Sequence, residues 1–458
     1  MTIWKNLKKV MEEYKKFFKN KKVTVMGLGL LGRGVGDAIF LAECGAKLTI
    51  TDLKTKEQLK ESLQKLKKFQ NSANGASIKY VLGKHRLEDF RNCDMILKAA
   101  GVPLDSPYIK EAKKNKIPVE MSATIFAKFS GISMIGITGT RGKSTVTHLI
   151  ARILEKTGRK VILGGNVRGV SNLQLLKKTQ GADIAVFELD SWQLQGFNEA
   201  KISPEISIFT NFMPDHMNYY NNDLKKYFTD KSYIYKFQKN KNILIVGSQM
   251  KNLVKNTKSQ VLNADSKNIP KSWKIGLLGK HNLENIACVF EAAKVLKIPE
   301  NIIKKTVENF KAVEGRLELV KNIKGIKIYN DTNSTTPDAV LAALRSFPQK
   351  VILIMGGMDK NLSVDSLIRI LPKKTKMIFL TPGSGSDKIK TGKAKIKKVS
   401  GLKEAMTEAV RKSTTGDIIL FSPGFTSFNM FNNEYDRGDK FMKIIKNLNL
   451  RNLGVRHL

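Results

Sequence analysis

The stretch that decides the fold reads IGITGTRGKST, from Ile135 to Thr145. An apolar strand leads directly into a glycine-rich loop, and a helix is predicted to begin at Ser144. Such a loop turns successive backbone N–H groups toward one point, and the helix N-terminus adds a partial positive charge. Lys143 adds a full charge, and the Ser144 hydroxyl can reach a bound Mg²⁺. The pattern therefore predicts a polyphosphate site.

This loop departs from the Walker pattern of common nucleotide-binding loops. The Walker pattern places a glycine five residues before the Gly142–Lys143 pair, and this chain has Ile137 there. The loop is a shorter Gly-x-x-Gly-Lys-Ser-Thr that begins at Gly139. The shorter loop is typical of a particular class of ATP-using proteins.

A second glycine-rich loop lies near the start of the chain. Residues 23–26 read as a strand, and the loop 27–32 that follows has the form Gly-x-Gly-x-x-Gly. A helical stretch to Cys44 and a second strand at 46–51 lead to Asp52, twenty residues past the last glycine. This order is a Rossmann nucleotide-binding pattern, in which Asp52 is placed for a ribose or base hydroxyl. The pattern by itself does not specify NAD.

Two further α/β units follow in series, the second beginning near Gly131 and the third after Arg316. Their predicted strands are continuous apolar runs that alternate with amphipathic helices, which is typical of parallel sheets covered on both faces. The strands are residues 182–189, 206–212 and 242–247 in the second unit and 325–330, 350–355, 376–380 and 417–421 in the third.

The predicted fold class is therefore α/β with three domains. Residues 1–130 would form a Rossmann-like N-terminal domain, 131–312 a central P-loop-type mononucleotide-binding domain, and 313–458 a C-terminal Rossmann-like domain. A chain of 458 residues with 41% hydrophobic content can build several cores. No period of 20–50 residues repeats, so a solenoid is excluded.

The composition argues against a membrane protein, a secreted protein and a cysteine-based metal or redox site. No apolar run reaches the roughly 18 residues of a membrane span. Apolar residues from Trp4 to Phe18 recur at helical spacing, which favours an amphipathic helix packed on the first domain over a signal peptide or a membrane-surface helix. Cys44, Cys93 and Cys288 lie far apart in no metal-ligand or redox spacing. Reduced thiols in a cytoplasmic protein fit this pattern best.

Eighty Lys and Arg against 40 Asp and Glu give a formal net charge of +40. Such an excess raises the alternative of a nucleic-acid surface. The lysines are spread through the chain, however, and no basic motif interleaved with aromatic residues is present. A compositional bias toward lysine is the favoured explanation, so no dedicated nucleic-acid site is predicted.

Polar side chains follow two strands of the central unit. Glu188 ends the strand 182–189, and the strand 206–212 leads to Asp215 and His216. Ligands of open parallel sheets bind at the carboxyl ends of the strands, where the phosphate loop also lies. Mg²⁺ takes one or two protein carboxylates together with phosphate oxygens, so Glu188 is predicted as a ligand. A strand-end salt bridge is the alternative for Glu188, and a turn position is the alternative for His216.

The third unit adds three charged residues. Asp331 and Lys360 both follow strands and would lie at a crevice mouth. Arg316, at the junction with the central unit, can clamp a carboxylate through two parallel N–H groups. Exposed lysines occur throughout the chain, so a solvated lysine is the alternative for Lys360.

Taken in order, these motifs resemble those of the Mur ligases of peptidoglycan synthesis over essentially the whole chain, and most of all the glutamate-adding branch of that family. The matching segments are 136–145, 187–194, 211–216, 278–285, 314–316, 330–332, 356–360 and 422–428, followed by Arg437 and Gly438.

The resemblance implies an ATP-dependent, amide-forming ligase of the cytoplasm. The γ-phosphate of ATP would pass to the carboxylate of UDP-MurNAc-L-Ala, and the amine of glutamate (D-Glu) would then displace phosphate from the acyl phosphate. ATP and Mg²⁺ would be the cofactors, and UDP-MurNAc-L-Ala and glutamate the substrates of a monomer. In chain order, the three domains would bind the UDP-muramoyl substrate, ATP and the amino acid.

The resemblance also implies roles for individual residues. The catalytic set would be Lys143, Glu188, His216, Lys231 and Arg316. ATP would contact Gly139, Thr140, Gly142, Lys143, Ser144, Thr145, Asn282 and Asp331. The UDP substrate would contact Gly29, Leu30, Leu31, Gly32, Asp52, Lys54, Gly101 and Asn166. Glutamate would contact Arg316, Thr335, Lys360 and Ser427. The metal would be held by Ser144, Glu188, His216 and Lys231, which falls where the family has a carbamylated lysine; an ordinary solvated lysine is the alternative.

Four positions depart from the family pattern. Arg141 replaces an asparagine of the phosphate loop, and Gly315 replaces a histidine before Arg316. Asn333 stands at a position that is often lysine, and Glu434 at one that is often aromatic. The last two lie near the expected glutamate pocket and bear on the preference for D- or L-glutamate.

Three alternatives stay open. A sister Mur ligase or a folylpolyglutamate synthase shares the central and C-terminal units, but the complete Gly-x-Gly-x-x-Gly unit favours a UDP-muramoyl substrate over a folate. A basic P-loop NTPase acting on nucleic acid would leave the third unit unexplained. A catalytically silent binding protein gains no support from the intact Lys143, Glu188 and His216.

Overall fold

A computed structural model describes residues 12–70, 76–428 and 430–448. Its strands form three sheets of five, six and six strands, which confirms the predicted α/β class. The chain divides into two compact units. One unit holds the first two sheets, and the other holds the third sheet with the segments Met213–Asp223 and Ile269–Ile286. The predicted domain boundaries at 130/131 and 312/313 stay predictions.

The first sheet is parallel throughout and has the strand order β3-β2-β1-β4-β5. Because the chain adds β2 and β3 on one side of β1 and β4 and β5 on the other, the loop after β1 lies at a topological switch point, where α/β sheets bind ligands. The strands are β1 Lys22–Met26, β2 Lys47–Asp52, β3 Ser77–Leu82, β4 Met95–Lys98 and β5 Val119–Glu120. The helices are Arg33–Glu43, Lys60–Leu66, Pro107–Lys114 and Ser122–Phe129, with 3-10 turns at Lys67–Phe69 and Leu87–Phe90.

The predicted N-terminal helix is present where the structure describes it. Residues 12–18 are helical, and the part of the prediction from Trp4 to residue 11 lies outside the described residues. Tyr14 and Phe18 are buried, and their rings pack against Phe40 of the first domain. This packing supports a core helix rather than a membrane-surface helix.

The second sheet is also parallel, with the order β11-β10-β9-β6-β8-β7. Its central strand β6 carries the phosphate loop at its carboxyl end. The strands are β6 Met134–Thr138, β7 Val161–Gly165, β8 Ile184–Glu188, β9 Ile206–Phe209, β10 Ile243–Gly247 and β11 Gln260–Ala264. The helices are Lys143–Lys156, Asn172–Leu175, Ser191–Ala200, Leu224–Ser232, Lys280–Val295 and Glu300–Glu308, with 3-10 turns at Leu176–Lys178, Ser248–Met250 and Ser266–Asn268.

The third sheet has the order β12-β13-β17-β14-β15-β16, in which only the edge strand β12 runs antiparallel to its neighbour. The strands are β12 Glu318–Ile323, β13 Ile326–Asn330, β14 Val351–Gly356, β15 Thr375–Thr381, β16 Ile396–Lys398 and β17 Ile418–Phe421. The helices are Pro337–Arg345, Asp365–Lys374, Ser384–Asp387, Leu402–Arg411 and Glu434–Lys446.

The structure also describes the three cysteines and the hydropathy of the helices. Cys44 and Cys288 are buried free thiols, and Cys93 is a half-buried one. No helix in the described part of the chain is long and apolar enough to cross a membrane.

Candidate active site

The phosphate loop is held in a tight glycine-dependent turn. Gly142 caps the helix Lys143–Lys156 with a left-handed φ of 84°, and Gly139 has a φ of 143°. A Cβ at Gly139 would collide with the Thr210 hydroxyl and lie 3.2 Å from the backbone N and O atoms of Asn211. The helix begins at Lys143, one residue before the predicted start.

Asn211 fixes this loop from the neighbouring strand end. Its carbonyl oxygen accepts the Thr140 N–H at 3.0 Å, and its Oδ1 accepts the Arg141 N–H at 2.8 Å. The segment 211–216, which matches a Mur ligase motif, therefore begins as a brace for the loop. Arg141 keeps its place in the turn through its backbone, which explains how an arginine is accommodated in a position that is usually asparagine.

Two ammonium groups converge on one carbonyl oxygen of the loop. Lys143 Nζ donates to the Gly139 oxygen at 3.0 Å, and Lys231 Nζ donates to the same oxygen at 2.9 Å. Lys231 is only 1% exposed, with its Nζ 4.8 Å from the ring centroid of Tyr227. Two cations this close repel each other, so the arrangement favours an anion at the loop. The alternative of a solvated lysine at 231 is wrong.

Glu188 ends the strand β8 beside this loop. It pairs with Ile137 of β6, and it is 4% exposed. Ser144 and Thr145 lie in the first turn of the following helix, so a hydroxyl and a carboxylate come from adjacent strand ends. Hydroxyl, carboxylate and phosphate oxygens are the hard ligands that Mg²⁺ prefers.

Among the described residues, no group of three or more His, Cys, Asp and Glu side chains could hold a metal ion by itself. Mg²⁺ in phosphate-transfer sites takes much of its coordination from the nucleotide and water, so a complete protein cage is not required. The donors Ser144 and Glu188 therefore fit a Mg²⁺ that binds together with a nucleotide.

The unit that contains the third sheet holds His216, Asn282, Asp331 and the residues predicted to bind glutamate. His216 has a left-handed φ of 55°, and its Nε2 is 3.7 Å from Asp215 Oδ2. Asp215 also accepts a hydrogen bond from Lys360 Nζ at 3.3 Å, and the same ammonium lies 3.3 Å from Thr335 Oγ1. Lys360 and Thr335, both predicted to bind glutamate, are thus adjacent, and the Lys360 side chain is 17% exposed.

Asp331 is buried at the end of β13. It accepts a hydrogen bond from the Ser422 hydroxyl at 2.8 Å and from the Leu317 N–H at 3.1 Å. Burial raises the pKa of this carboxyl to about 7, against the opposing effects of those hydrogen bonds and of the nearby Arg316. Arg316 itself is half-buried.

The loop that carries Ser427 is anchored by a buried arginine. Arg437 donates to the Phe425 carbonyl at 3.0 Å and to the Thr332 carbonyl at 2.8 Å. Burial lowers the pKa of this guanidinium to about 10. Ser427 is buried beside it, and Glu434, one of the departures from the family pattern, has its carbonyl 3.4 Å from Thr332 Oγ1.

Asn282 is buried near the start of the helix Lys280–Val295. Its Nδ2 donates to the Leu278 carbonyl at 2.8 Å, and its Oδ1 accepts from Asn285 at 3.0 Å. These contacts fix the amide group within its own turn. The predicted site residues are therefore divided: the phosphate-loop set and the UDP set belong to the first unit, and His216, Asn282, Asp331 and the glutamate set belong to the second.

The UDP set surrounds a cavity of about 280 Å³ in the first unit. Its lining includes Gly29, Leu30, Leu31, Gly101 and Asn166. Gly32, with a φ of 80°, caps the helix that follows, in the same way as Gly142 in the other loop. Five of the eight residues predicted for UDP therefore line one cavity.

Asp52 does not line the cavity but forms a hydrogen bond with the first glycine loop. Its Oδ2 accepts the Gly29 N–H at 3.1 Å, and its Oδ1 accepts the Lys54 N–H at 2.9 Å. The Lys54 ammonium is 3.9 Å from the same carboxylate and is 40% exposed. Asp52 is the last residue of β2 and anchors the first glycine loop through the Gly29 N–H.

Four charged residues of the cavity lining are not among the predicted site residues: Arg33, Asp37, Lys98 and Asp190. Lys98 donates to the carbonyls of Ala99, Ala100 and Val102, the last at 2.7 Å, and burial lowers the pKa of its ammonium to about 8. Lys98 ends the strand β4 Met95–Lys98, whose other three residues are apolar. A lysine at the carboxyl end of a buried strand is a sequence signal that could have identified it as a cavity residue.

Three family descriptions match consecutive parts of the chain. They are a Mur ligase MurD-like N-terminal domain at residues 21–120, a Mur ligase middle domain at 137–268 and a Mur ligase glutamate ligase domain at 315–425. The chain is 32% identical to the UDP-N-acetylmuramoylalanine--D-glutamate ligase of Roseiflexus sp. (strain RS-1), over 93% of this chain and 98% of the relative. A protein of the same name from Borreliella afzelii (strain PKo) is 36% identical, also over 93% and 98%.

The chain belongs to the Mur ligase family. The fold of this Mur ligase is also similar to a solved structure, the MurF ligase from Thermotoga maritima in complex with ADP. The TM-score is 0.60, the sequence identity is 17%, and 97% of each chain is covered. At that identity the likeness concerns the fold.

Proposed function

We propose that this Mur ligase joins D-glutamate to UDP-MurNAc-L-Ala at the expense of ATP, with release of ADP and phosphate. One observation carries the proposal. The first unit contains two glycine-rich loops, each at the carboxyl end of a central parallel strand, and the loop after β1 borders a cavity of about 280 Å³. Two nucleotide-binding loops suit a reaction that uses two different nucleotides, ATP and a UDP-sugar. The relatives that span the chain carry the corresponding name.

At the phosphate loop, backbone N–H groups and Lys143 would hold the β- and γ-phosphates of ATP, with Gly139, Thr140, Gly142 and Thr145 shaping the loop. The buried Lys231 lies against the same loop. Ser144 and Glu188 would hold Mg²⁺, joined in the proposed set by His216. When bound, the metal neutralises charge on the transferring phosphoryl group. Carbamylation of Lys231, which would replace its positive charge with a negative one, remains part of the proposal.

In the second unit, Lys360 and Thr335 would receive a carboxylate of glutamate, with Ser427 and Arg316 completing that set. The buried Asp331 and Asn282 would contact the nucleotide. Phosphorylation would precede amide formation, because a free carboxylate is a poor electrophile. The amine of glutamate can attack it only after phosphorylation has provided a leaving group. We place the reaction in the cytoplasm, where ATP and nucleotide sugars are available. A monomer stays a prediction.

The alternative functions that the sequence leaves open are not favoured. The relatives that cover nearly the whole chain are named as glutamate ligases rather than as folylpolyglutamate synthases or nucleic-acid enzymes. Residues 27–31 of the Gly-x-Gly-x-x-Gly loop also line the first-unit cavity, and a folate substrate would not require that loop.

The test is an assay of phosphate release with ATP, Mg²⁺ and combinations of the other reactants. We expect release to require both UDP-MurNAc-L-Ala and D-glutamate, and to form an amide product with a mass increase of one glutamate residue. Parallel reactions would contain L-glutamate, other amino acids, a folate or a polynucleotide. Release that is equal without an amino acid, or that occurs only with polynucleotide, would contradict the proposal.

A further inference from the structure

The cavity beside the first glycine loop has walls from two sheets. The loop after β1 and the segment after β4 form one side, and residues that follow β7 and β8 form the other. Both sheets belong to the same compact unit. A ligand in this cavity would therefore contact side chains from the N-terminal and the central sheets at once.

Arg33 connects these two sides. It is the first residue of the helix Arg33–Glu43, directly after the glycine loop, and its Nη1 donates to Asn166 Oδ1 at 2.5 Å. Asn166 follows β7 in the central sheet, where its N–H donates to the Glu188 carbonyl at 2.7 Å. The hydrogen bond to Asn166 uses one of the five N–H donors of a guanidinium. Arg33 is thus held in place while retaining the capacity to bind an anion.

Within the described residues, the cavity lining contains two cationic side chains, Arg33 and Lys98. Lys98 is committed to the protein, because its ammonium donates to three backbone carbonyls. The two acidic lining residues also have defined partners. Asp37 accepts from the Ser171 hydroxyl at 2.6 Å and from the Leu173 N–H at 3.2 Å, and Asp190 accepts from the Gln193 N–H at 2.7 Å. The guanidinium of Arg33 is therefore the cation of this cavity that can serve a ligand.

We infer that Arg33 is a diphosphate-binding residue of the sugar-nucleotide site, and that Asn166 holds its guanidinium in position. The inference rests on the proposed function. A diphosphate offers oxygen pairs that match the planar fork of an arginine, and such bidentate bonds are stronger than those of a lysine. The helix N-terminus that begins at Arg33, capped by Gly32 without a side-chain hydrogen bond, favours the same charge. Residues 29–32 would then shape the turn, while Arg33 supplies affinity.

The experiment compares uridine, UMP, UDP and UDP-MurNAc-L-Ala as ligands of the full-length protein by calorimetry. The variants are Arg33→Met and Arg33→Lys, with Lys79→Met as a control that removes one exposed charge from β3 and does not line the cavity. We expect Arg33→Met to weaken UDP and UDP-MurNAc-L-Ala by about 10- to 100-fold and to leave uridine within about twofold. Arg33→Lys should recover part of the loss, and Lys79→Met should match the wild type.

Asn166 is tested through a double-mutant cycle. If Asn166 acts by positioning Arg33, Asn166→Ala should weaken UDP binding clearly in the wild type and much less in the Arg33→Met background. Raising the salt concentration should reduce the wild-type affinity for UDP more than that of Arg33→Met, because the variant has lost the charge. Thermal unfolding of each variant verifies that it folds.

The outcomes separate the inference from the proposed function. Wild-type protein that binds UDP-MurNAc-L-Ala, together with Arg33→Met that binds it equally well, would overturn the inference alone. Equal weakening of uridine and UDP by Arg33→Met would also overturn it, because that result indicates a purely structural link. Wild-type protein that binds none of the uridine ligands would overturn both.

Discussion

The two glycine-rich loops of the first unit use one backbone device for different purposes. Each follows a central strand of a parallel sheet and ends in a left-handed glycine, Gly32 with φ 80° or Gly142 with φ 84°. Both lead into a helix whose first residue is a cation, Arg33 or Lys143. If the two loops bind different nucleotides, as proposed, the turn and the helix N-terminus alone do not determine which nucleotide is bound.

The difference lies in what packs around each loop. The second loop is tightly enclosed: Gly139 abuts Thr210, and its carbonyl receives two ammonium groups. The first loop is open, with no atom within 4 Å of a Cβ placed at Gly29, and it borders a cavity. A rigid, charged cradle suits the group that reacts, whereas an open loop with one arginine suits binding and orientation of a larger substrate.

The largest expected effect is on catalysis at the second loop. Lys143→Met should lower kcat by about 10²- to 10³-fold or more, because it removes a charge aimed at the transferring phosphate. Lys156→Met, an exposed lysine in the last turn of the same helix, is the matched control and should retain activity. Steady-state phosphate release measures both. A kcat of Lys143→Met within about twofold of the wild type would remove the distinction between the loops.

Next in size is the stability cost of adding one methyl group to each loop. Gly139→Ala should destabilise by about 3 kcal/mol, since the new Cβ meets Thr210 Oγ1 and the Asn211 backbone in a closely packed turn. Gly29→Ala, with a φ of 67° and open space around it, should cost only the left-handed strain of about 1–2 kcal/mol. Denaturant unfolding of the two variants provides the comparison. Equal midpoints would contradict the contrast in packing.

The third prediction concerns the pH dependence of stability that arises from the helix after the first loop. The fifth residue of the first helix is Asp37 and that of the second is Thr147, and both are buried. Burial raises the pKa of Asp37 to about 6, against the hydrogen bonds from Ser171 and Leu173 and the charge of Arg33. The folded protein therefore binds more protons than the unfolded chain between about pH 4 and 6, and its stability falls as the pH rises through that window.

Asp37→Asn removes this titration. The stability of the wild type relative to the variant should decrease by up to about 3 kcal/mol between pH 4 and 6, then stay level above pH 7. Unfolding midpoints of both proteins across this range give the difference in stability between them. The contributions of the other titrating groups are common to both proteins and cancel in this difference. Parallel curves would show that Asp37 does not carry the effect.

The smallest effect is expected at Lys54, next to the first loop. Its ammonium is 3.9 Å from Asp52 and 40% exposed, so Lys54→Ala should change the free energy of unfolding by less than about 0.5 kcal/mol. Asp52→Ala should cost more, because it removes the acceptor of the Gly29 N–H. Unfolding curves of the two variants test this order, and a larger loss for Lys54→Ala would reverse it.

Much of the framework could be predicted from the sequence because buried parallel strands are continuous apolar runs. The strands β8, β13 and β14 lie within a residue or two of their predicted bounds, and both glycine loops follow their strands as expected. Short edge strands such as β5 Val119–Glu120 and β16 Ile396–Lys398 have too few residues to give a pattern. They form because a neighbouring strand offers hydrogen bonds.

The candidate site divides in the same way. Lys143, Glu188 and Lys360 could be named because they stand at strand ends or in a loop with a recognisable order. The link from Arg33 to Asn166 joins residues 133 positions apart, and the convergence of Lys143 and Lys231 on Gly139 spans 92 positions. No local pattern marks such pairs, since they depend on which faces of distant elements pack together.

By itself, the sequence determined the α/β class, the two nucleotide loops and the ordered motifs of a Mur ligase, because local chemistry controls turns, strands and helix starts. Only the tertiary structure decided that Asp52 anchors Gly29, that the Lys98 ammonium donates to three carbonyls of its own loop, and that Arg33 lines the first cavity in contact with Asn166. The physical reason is that the hydrogen-bond donors of a charged side chain are shared between protein acceptors and a ligand, and only packing decides which protein acceptors lie within reach.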